Sequence, residues 1–156
     1  MKIISIGSIA GTLAFAGLSA LDWQAGTAGD LVSFPESYAQ GVHYATINRG
    51  NISEELFTSR AAIEAAKSGQ PLPSGTVITM QDYRDGRLFR YVVMEKRGGW
   101  GGDDPPEKRN GEWESQAFNA DKSVNRSENL DRCFACHKGH AAQDFVFTYG
   151  RMKIVN

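Results

Sequence analysis

Thr76-Val77-Ile78-Thr79-Met80-Gln81, then Asp85-Gly86, then Leu88-Phe89-Arg90-Tyr91-Val92-Val93-Met94-Glu95-Lys96, is the stretch that sets the architecture. Its first and last runs are rich in β-branched and aromatic residues, which suit a pleated, half-buried backbone. The Asp-Gly pair between them is what a tight hairpin turn selects, because its central positions need positive φ. Two antiparallel strands are therefore predicted. Working outward, Val42 to Ile47 reads as an earlier strand, stopped at Asn48-Arg49-Gly50. Ser59 is a helix N-cap, Ala61 to Lys67 are good helix formers, and Gly69 is a natural C′ residue. Pro71 to Gly75 is a turn, and Arg97 to Asn110 is a long polar loop. Glu112 to Phe118 reads as another strand, Asn129 to Lys138 as a short helix, and Asp144 to Tyr149 alternates as a final strand. About five strands with a few short helices predict an α+β domain built on an antiparallel sheet.

The chemistry is concentrated in Cys133-Phe134-Ala135-Cys136-His137, on the short helix near the C-terminus. C-x-x-C-H is the attachment sequence of a c-type haem. The two thiols can each bond a vinyl group of one porphyrin, and the histidine that follows is held where it donates an axial nitrogen to iron. Cys133 and Cys136 are the only cysteines in the chain. A C-x-x-C pair also occurs in redox disulfides and as half of a zinc site. A zinc site here would need His140 beside Cys133, Cys136 and His137. Four ligands packed into eight residues make poor geometry for a structural ion, which usually joins two separated pairs. A thioredoxin-like motif belongs at a helix start early in a βαβ unit, and this chain has no βαβ rhythm. One covalently attached haem c is therefore the expected cofactor. Cys133, Cys136 and His137 are its binding residues, and His137 is the iron ligand.

The N-terminus bears on location. Met1-Lys2 is a short basic start, Ile3 to Leu21 carry no charge, and Asp22 is the first acid. The pattern is that of a secretory signal peptide, with small residues placing cleavage after Ala20 or Ala28. The uncharged run also approaches the length of a membrane span, so an uncleaved anchor stays open. Residues 1–28 are expected to be the leader and 29–156 a single haem domain in the periplasm, in line with haem attachment after export. Lys plus Arg number 17 against 18 acids, a net charge of −1. That balance gives no case for nucleic acid or an anionic membrane as partner.

Several pieces together resemble the cytochrome P460 family, which includes the β-sheet cytochromes c′. They are Leu72-Pro73-Ser74-Gly75-Thr76-Val77-Ile78, Val93-Met94-Glu95-Lys96, Gly111-Glu112-Trp113-Glu114, and Cys133 to Lys138 followed by Gln143-Asp144-Phe145-Val146-Phe147-Thr148. The resemblance runs from about Phe34 to Met152. It implies a homodimer of antiparallel sheets, with one five-coordinate haem per chain and an open distal side. The hydroxylamine-oxidising members carry a further covalent link to the porphyrin from a lysine in a strand reading G-T-V-x-x-K-E. Counting from Gly75-Thr76-Val77, that place is held by Met80. A thioether cannot form the amine link, which argues against hydroxylamine oxidation. Lys67 lies on the preceding helix and is no substitute. The family also places a distal carboxylate near the iron, and matching Tyr91 to Glu95 with that strand gives Glu95 the role. A buried carboxyl there could relay protons. Alternation sets Glu95 on the face of Phe89, Tyr91 and Val93, while the plainer reading is a surface pair with Lys96.

Met80 is either core packing at the haem edge or a sixth ligand giving a His/Met site suited to electron transfer. His43 and His140 are the other conceivable sixth ligands. His140 is too close in sequence to His137 to cross to the opposite haem face, and suits a propionate or solvent better. Phe89, Tyr91, Trp100, Trp113, Phe118, Phe145 and Phe147 suit a haem wall or, more simply, the sheet core. Gly98 to Gly102 lacks the spacing of a nucleotide loop and reads as a mobile loop beside the haem or a dimer edge. Three functions follow. The first is a cytochrome binding a small gaseous or nitrogen-oxide ligand such as nitric oxide. The others are an oxidoreductase acting on hydroxylamine or related compounds, and an electron-transfer cytochrome serving a redox partner protein.

Overall fold

The computed structural model describes residues 32–102, 105–106 and 109–156. The leader expected over residues 1–28 lies outside them. Five strands form one antiparallel sheet in strictly consecutive order: β1 (Val42–Arg49), β2 (Ile52–Thr58), β3 (Val77–Arg84), β4 (Arg87–Lys96) and β5 (Trp113–Asn119). Three short α-helices accompany it: α1 (Arg60–Lys67), α2 (Leu130–Lys138) and α3 (Tyr149–Met152). This is the α+β class expected from the strand pattern. Among the described residues no helix is long and apolar enough to cross a membrane.

The central hairpin forms as its sequence requires. Arg84 pairs with Arg87 across Asp85 and Gly86, whose φ values are 50° and 74°. Two successive positive φ values mark the turn whose twist matches that of the flanking strands. The β1–β2 hairpin has a two-residue loop as well, with Arg49 opposite Ile52 and Gly50 at φ 61°. α1 starts where expected, with the Ser59 hydroxyl accepting from the Ala62 N–H at 3.2 Å. It buries Ala62, Ile63 and Ala66 and ends before Gly69 at φ 70°.

Both faces of the sheet are covered. On one face Leu56, Ile78, Met94 and Trp113 pack with Ile63 of α1 and with Val146, Tyr149 and Met152 near the C-terminus. On the other, Tyr91, Val93 and Phe118 pack under the entering segment, with the Phe34 ring 4.9 Å from Tyr91 and 5.3 Å from Phe118, edge to face. Such edge-on pairs add to the area they bury.

Two expectations about strands are corrected. β2 was not expected, because Glu54-Glu55 interrupts its apolar alternation. Conversely, Asp144 to Tyr149 is no strand. Asp144 and Phe145 have φ values of 53° and 60°, which fold the chain back on itself, and α3 begins at Tyr149. The apolar alternation there comes from a turn that buries Val146 and leaves Phe147 53% exposed.

Candidate functional site

Between the first face of the sheet and α2 lies a cavity of 460 Å³. Its floor is apolar: Leu56, Ile78, Met80, Val92 and Met94. These residues share a face by register, with Met80 opposite Leu56 on one side and Val92 on the other. The facing wall is Cys133, Cys136 and His137 of α2, joined by Val146, Phe147 and Thr148. The sequence motif and this apolar hollow thus coincide.

Local sequence sets this wall. Asn129 caps α2 by accepting from the Asp131 N–H at 3.0 Å. Cys133, Cys136 and His137 then fall at i, i+3 and i+4, one face of a helix. No side chain of α2 is fully buried. A helix of nine residues gains little stability by itself, so a flat apolar group in the cavity would supply the surface it packs against.

His137 is oriented by its backbone neighbour. Its Nδ1 lies 2.7 Å from the Phe145 carbonyl oxygen. A carbonyl only accepts, so Nδ1 carries the proton and Nε2 is left as the lone-pair donor. Burial holds the imidazole's pKa below its usual value, against the opposing pull of the Phe145 carbonyl. Burial favours the neutral ring, and the carbonyl fixes Nε2 as its free nitrogen, the form that ligates iron. Burial raises the Cys133 thiol, and the two cysteines are not joined to each other as a disulfide.

The far end of the cavity is charged. Arg49, Glu54, Arg84, Arg90, Glu128 and Arg132 line it, gathered from the two hairpin ends and the approach to α2. Glu54 pairs with Arg49, and Arg90 pairs with Glu128. Asp82, 2% exposed, accepts from Arg90 Nε at 2.9 Å and from Arg84 at 3.3 Å. Arg84 Nε is buried without a partner. A cavity with an apolar floor, two thiols, a ready imidazole and an arginine-rich end fits a haem, whose propionates suit guanidinium forks.

Glu95 does not belong to this site. On β4 it is Arg90, Val92 and Met94 that line the cavity, while Tyr91, Val93 and Glu95 alternate onto the other face. Glu95 is 7% exposed and accepts from Arg97 Nε at 2.6 Å, not from Lys96. The carboxylates that do line the cavity are Glu54 and Glu128. Burial raises the Glu54 pKa over the opposing effect of Arg49. No sequence signal marked Glu54, because the strand that carries it was not expected.

The remaining candidates separate cleanly. Met80 lines the cavity. His43 is exposed and bonded to Glu55 at 2.5 Å, outside the cavity. His140 packs edge-on to Phe147 at 4.7 Å and is not a lining residue. Lys67 is exposed on α1. Of the aromatic residues offered as a haem wall, Phe147 lines the cavity. Tyr91 and Phe118 belong to the second face, with Trp100 packed against them. Gly98 to Gly102 closes as a 3₁₀ turn away from the cavity lining. Among the described residues no group of three or more His, Cys, Asp or Glu side chains is arranged to hold a metal ion.

A family model named cytochrome P460 matches residues 35–148. The chain belongs to the cytochrome P460 family. Membership implies a haem cytochrome, and the family match spans the sheet, the cavity floor and the C-x-x-C-H helix together. No curated protein matches the chain significantly.

Proposed function

We propose that this cytochrome P460 family member is an exported cytochrome. In this reading it carries one haem c bonded through Cys133 and Cys136 with His137 as axial ligand, and binds a small ligand such as nitric oxide on the opposite side. The observation that carries the reading is the tethered imidazole. Nδ1 is committed to the Phe145 carbonyl, Nε2 is free, and both thiols stand beside it on the cavity wall. When bound, the haem supplies an iron centre that takes a small diatomic ligand.

The chain's own residues do the rest. His137 Nε2 would be the chain's donor to the iron. Leu56, Ile78, Val92 and Met94 keep water from the apolar part of the cavity. Arg84, Arg90 and Arg132 offer donors to carboxylates at the charged end. Glu54, with its pKa raised by burial, holds a proton at its carboxyl oxygen further toward neutral pH than an exposed glutamate does.

Oxidation of hydroxylamine has less support, because Met80 stands on the cavity floor where the family's cross-linking lysine would be. A second reading draws on the same position: Met80 as sixth ligand would make an electron carrier serving a redox partner protein. Visible spectra of the exported, reduced protein discriminate. A high-spin, five-coordinate spectrum supports the first reading, and a sharp low-spin spectrum would replace it with the second. Periplasmic location and a homodimer complete the proposal, drawn from the leader pattern and from family likeness respectively. Mass spectrometry of exported protein reads the added haem and the retained or lost leader. Sedimentation showing monomer alone would remove the dimer.

A further inference from the structure

The segments around Leu72, Lys96, Gly111 and Asp144 carry the family resemblance, yet none of these residues lines the cavity. They meet at one junction behind His137. Lys96 Nζ donates to the Asp144 carboxylate oxygens at 2.9 and 2.7 Å and to the Leu72 carbonyl at 2.8 Å. The Leu72 N–H donates to Asp144 Oδ2 at 2.8 Å. The Lys96 and Asp144 side chains are 12% and 15% exposed, so water competes little for the pair. The Trp113 ring lies 5.9 Å from the ammonium.

The junction acts on the residue that follows it. Asp144 and Phe145 both hold positive φ, a conformation that side-chain-bearing residues keep only when their surroundings impose it. The Phe145 ring is confined as well, because a Cβ on Gly111 would lie 2.8 Å from the ring edge. Phe145 is therefore fixed through its backbone by Asp144 and through its ring by Gly111. Its carbonyl is the acceptor for His137 Nδ1 at 2.7 Å.

The geometry points to the Lys96–Asp144 pair as a positioning element of the axial histidine. The pair holds the 144–145 backbone so that the Phe145 carbonyl meets Nδ1–H, and it thereby sets how basic Nε2 is toward iron. A stronger Nδ1–H bond gives the ring more imidazolate character and favours ferric over ferrous iron. Lys96 and Asp144 act through His137, and the inference rests on the haem reading proposed above.

The test uses purified haem-bearing protein. Asp144→Asn keeps the shape of the carboxylate and removes its charge, and Lys96→Met keeps the stem and removes the ammonium. The readouts are the iron–histidine stretching frequency of the ferrous form and the reduction potential. Both variants are expected to lower the stretch and raise the potential. Charge alone would move them oppositely, since losing an anion raises the potential and losing a cation lowers it. The Lys96→Met direction therefore decides. Gly111→Ala disturbs the Phe145 ring with the pair intact and is expected to lower the stretch too, which keeps the test open if a pair variant fails to fold. A Lys96→Met protein with lowered potential and unchanged stretch overturns the inference, as does an unchanged stretch in all variants that fold. A parent protein without covalently attached haem removes the haem reading and this inference with it, whereas a haem-bearing parent with unaltered variants removes this inference alone.

Discussion

Replacing His137 by alanine separates two jobs that one ring performs. The first, in the haem reading proposed above, is to donate Nε2 to iron. The second is to satisfy the Phe145 carbonyl at 2.7 Å, on a residue whose φ of 60° is already unfavourable. Removing the ring leaves that carbonyl without its donor, at a cost of about 1–3 kcal/mol for a group out of water. A domain of this size shifts its melting temperature by roughly 3–6 °C per kcal/mol, between the values for smaller and larger domains. His137→Ala is therefore expected to melt about 3–18 °C lower. Cys133 and Cys136 remain, so covalent attachment of haem, read by mass, is expected to persist. The ligand-field spectrum changes at once. Added imidazole enters the space left by the ring and restores the axial nitrogen, but it has no chain connection to the loop. The spectrum is expected to return toward the parent's while the melting temperature recovers only in part. A variant that keeps the parent spectrum without imidazole refutes His137 as ligand. One with unchanged melting refutes the tether.

Glu95→Gln is expected to leave ligand-binding rates and their pH dependence unchanged, because Glu95 faces away from the cavity and pairs with Arg97. A stopped-flow series across pH that shows a shift would put Glu95 back in the site. Asp82→Ala removes a carboxylate 2% exposed that holds two arginines, and is expected to cost about 3–5 kcal/mol in denaturant unfolding. A loss below about 1 kcal/mol would mean that the guanidiniums are held by other partners. Burial raises the Glu54 pKa in the folded protein. Its stabilising share is thus complete below the unfolded value and is lost as pH rises through the folded one. Glu54→Gln cannot ionise, so its melting temperature relative to the parent is expected to rise from about pH 4 to about pH 7. A fall over the same range would show that the pair with Arg49 outweighs burial.

What could be read from the sequence is what local chemistry decides. Ser59 and Gly69 bound α1, Asp85-Gly86 makes the central turn, and Asn129 starts the helix that carries Cys133, Cys136 and His137. Failures arose where tertiary contacts override local pattern. Glu54-Glu55 hid β2, although Glu54 is tolerated on a strand because Arg49 lies beside it at the same end of the cavity. Asp144 to Tyr149 alternates like a strand, yet Asp144 is bound to Lys96 and Leu72, residues distant in sequence. Alternation grouped Glu95 correctly with Tyr91 and Val93, but the distal role that the resemblance implied needs the opposite face, where the cavity lies. Both faces of β4 are covered, so both sets of alternating residues are apolar and the phase carries no sign of which face holds the cavity. The arginine-rich end was invisible because Arg49, Arg84, Arg90 and Arg132 come from four separate elements, β1, β3, β4 and α2.

Strand order has a consequence in time. Every pairing in the sheet joins chain neighbours, so each strand finds its partner already made when the chain is delivered N-terminus first. The strands that make the cavity floor are complete at Asn119, ahead of either cysteine. Thiols and imidazole therefore follow onto a sheet whose strands are already paired, and the wall formed by Val146, Phe147 and Thr148 closes the cavity after them.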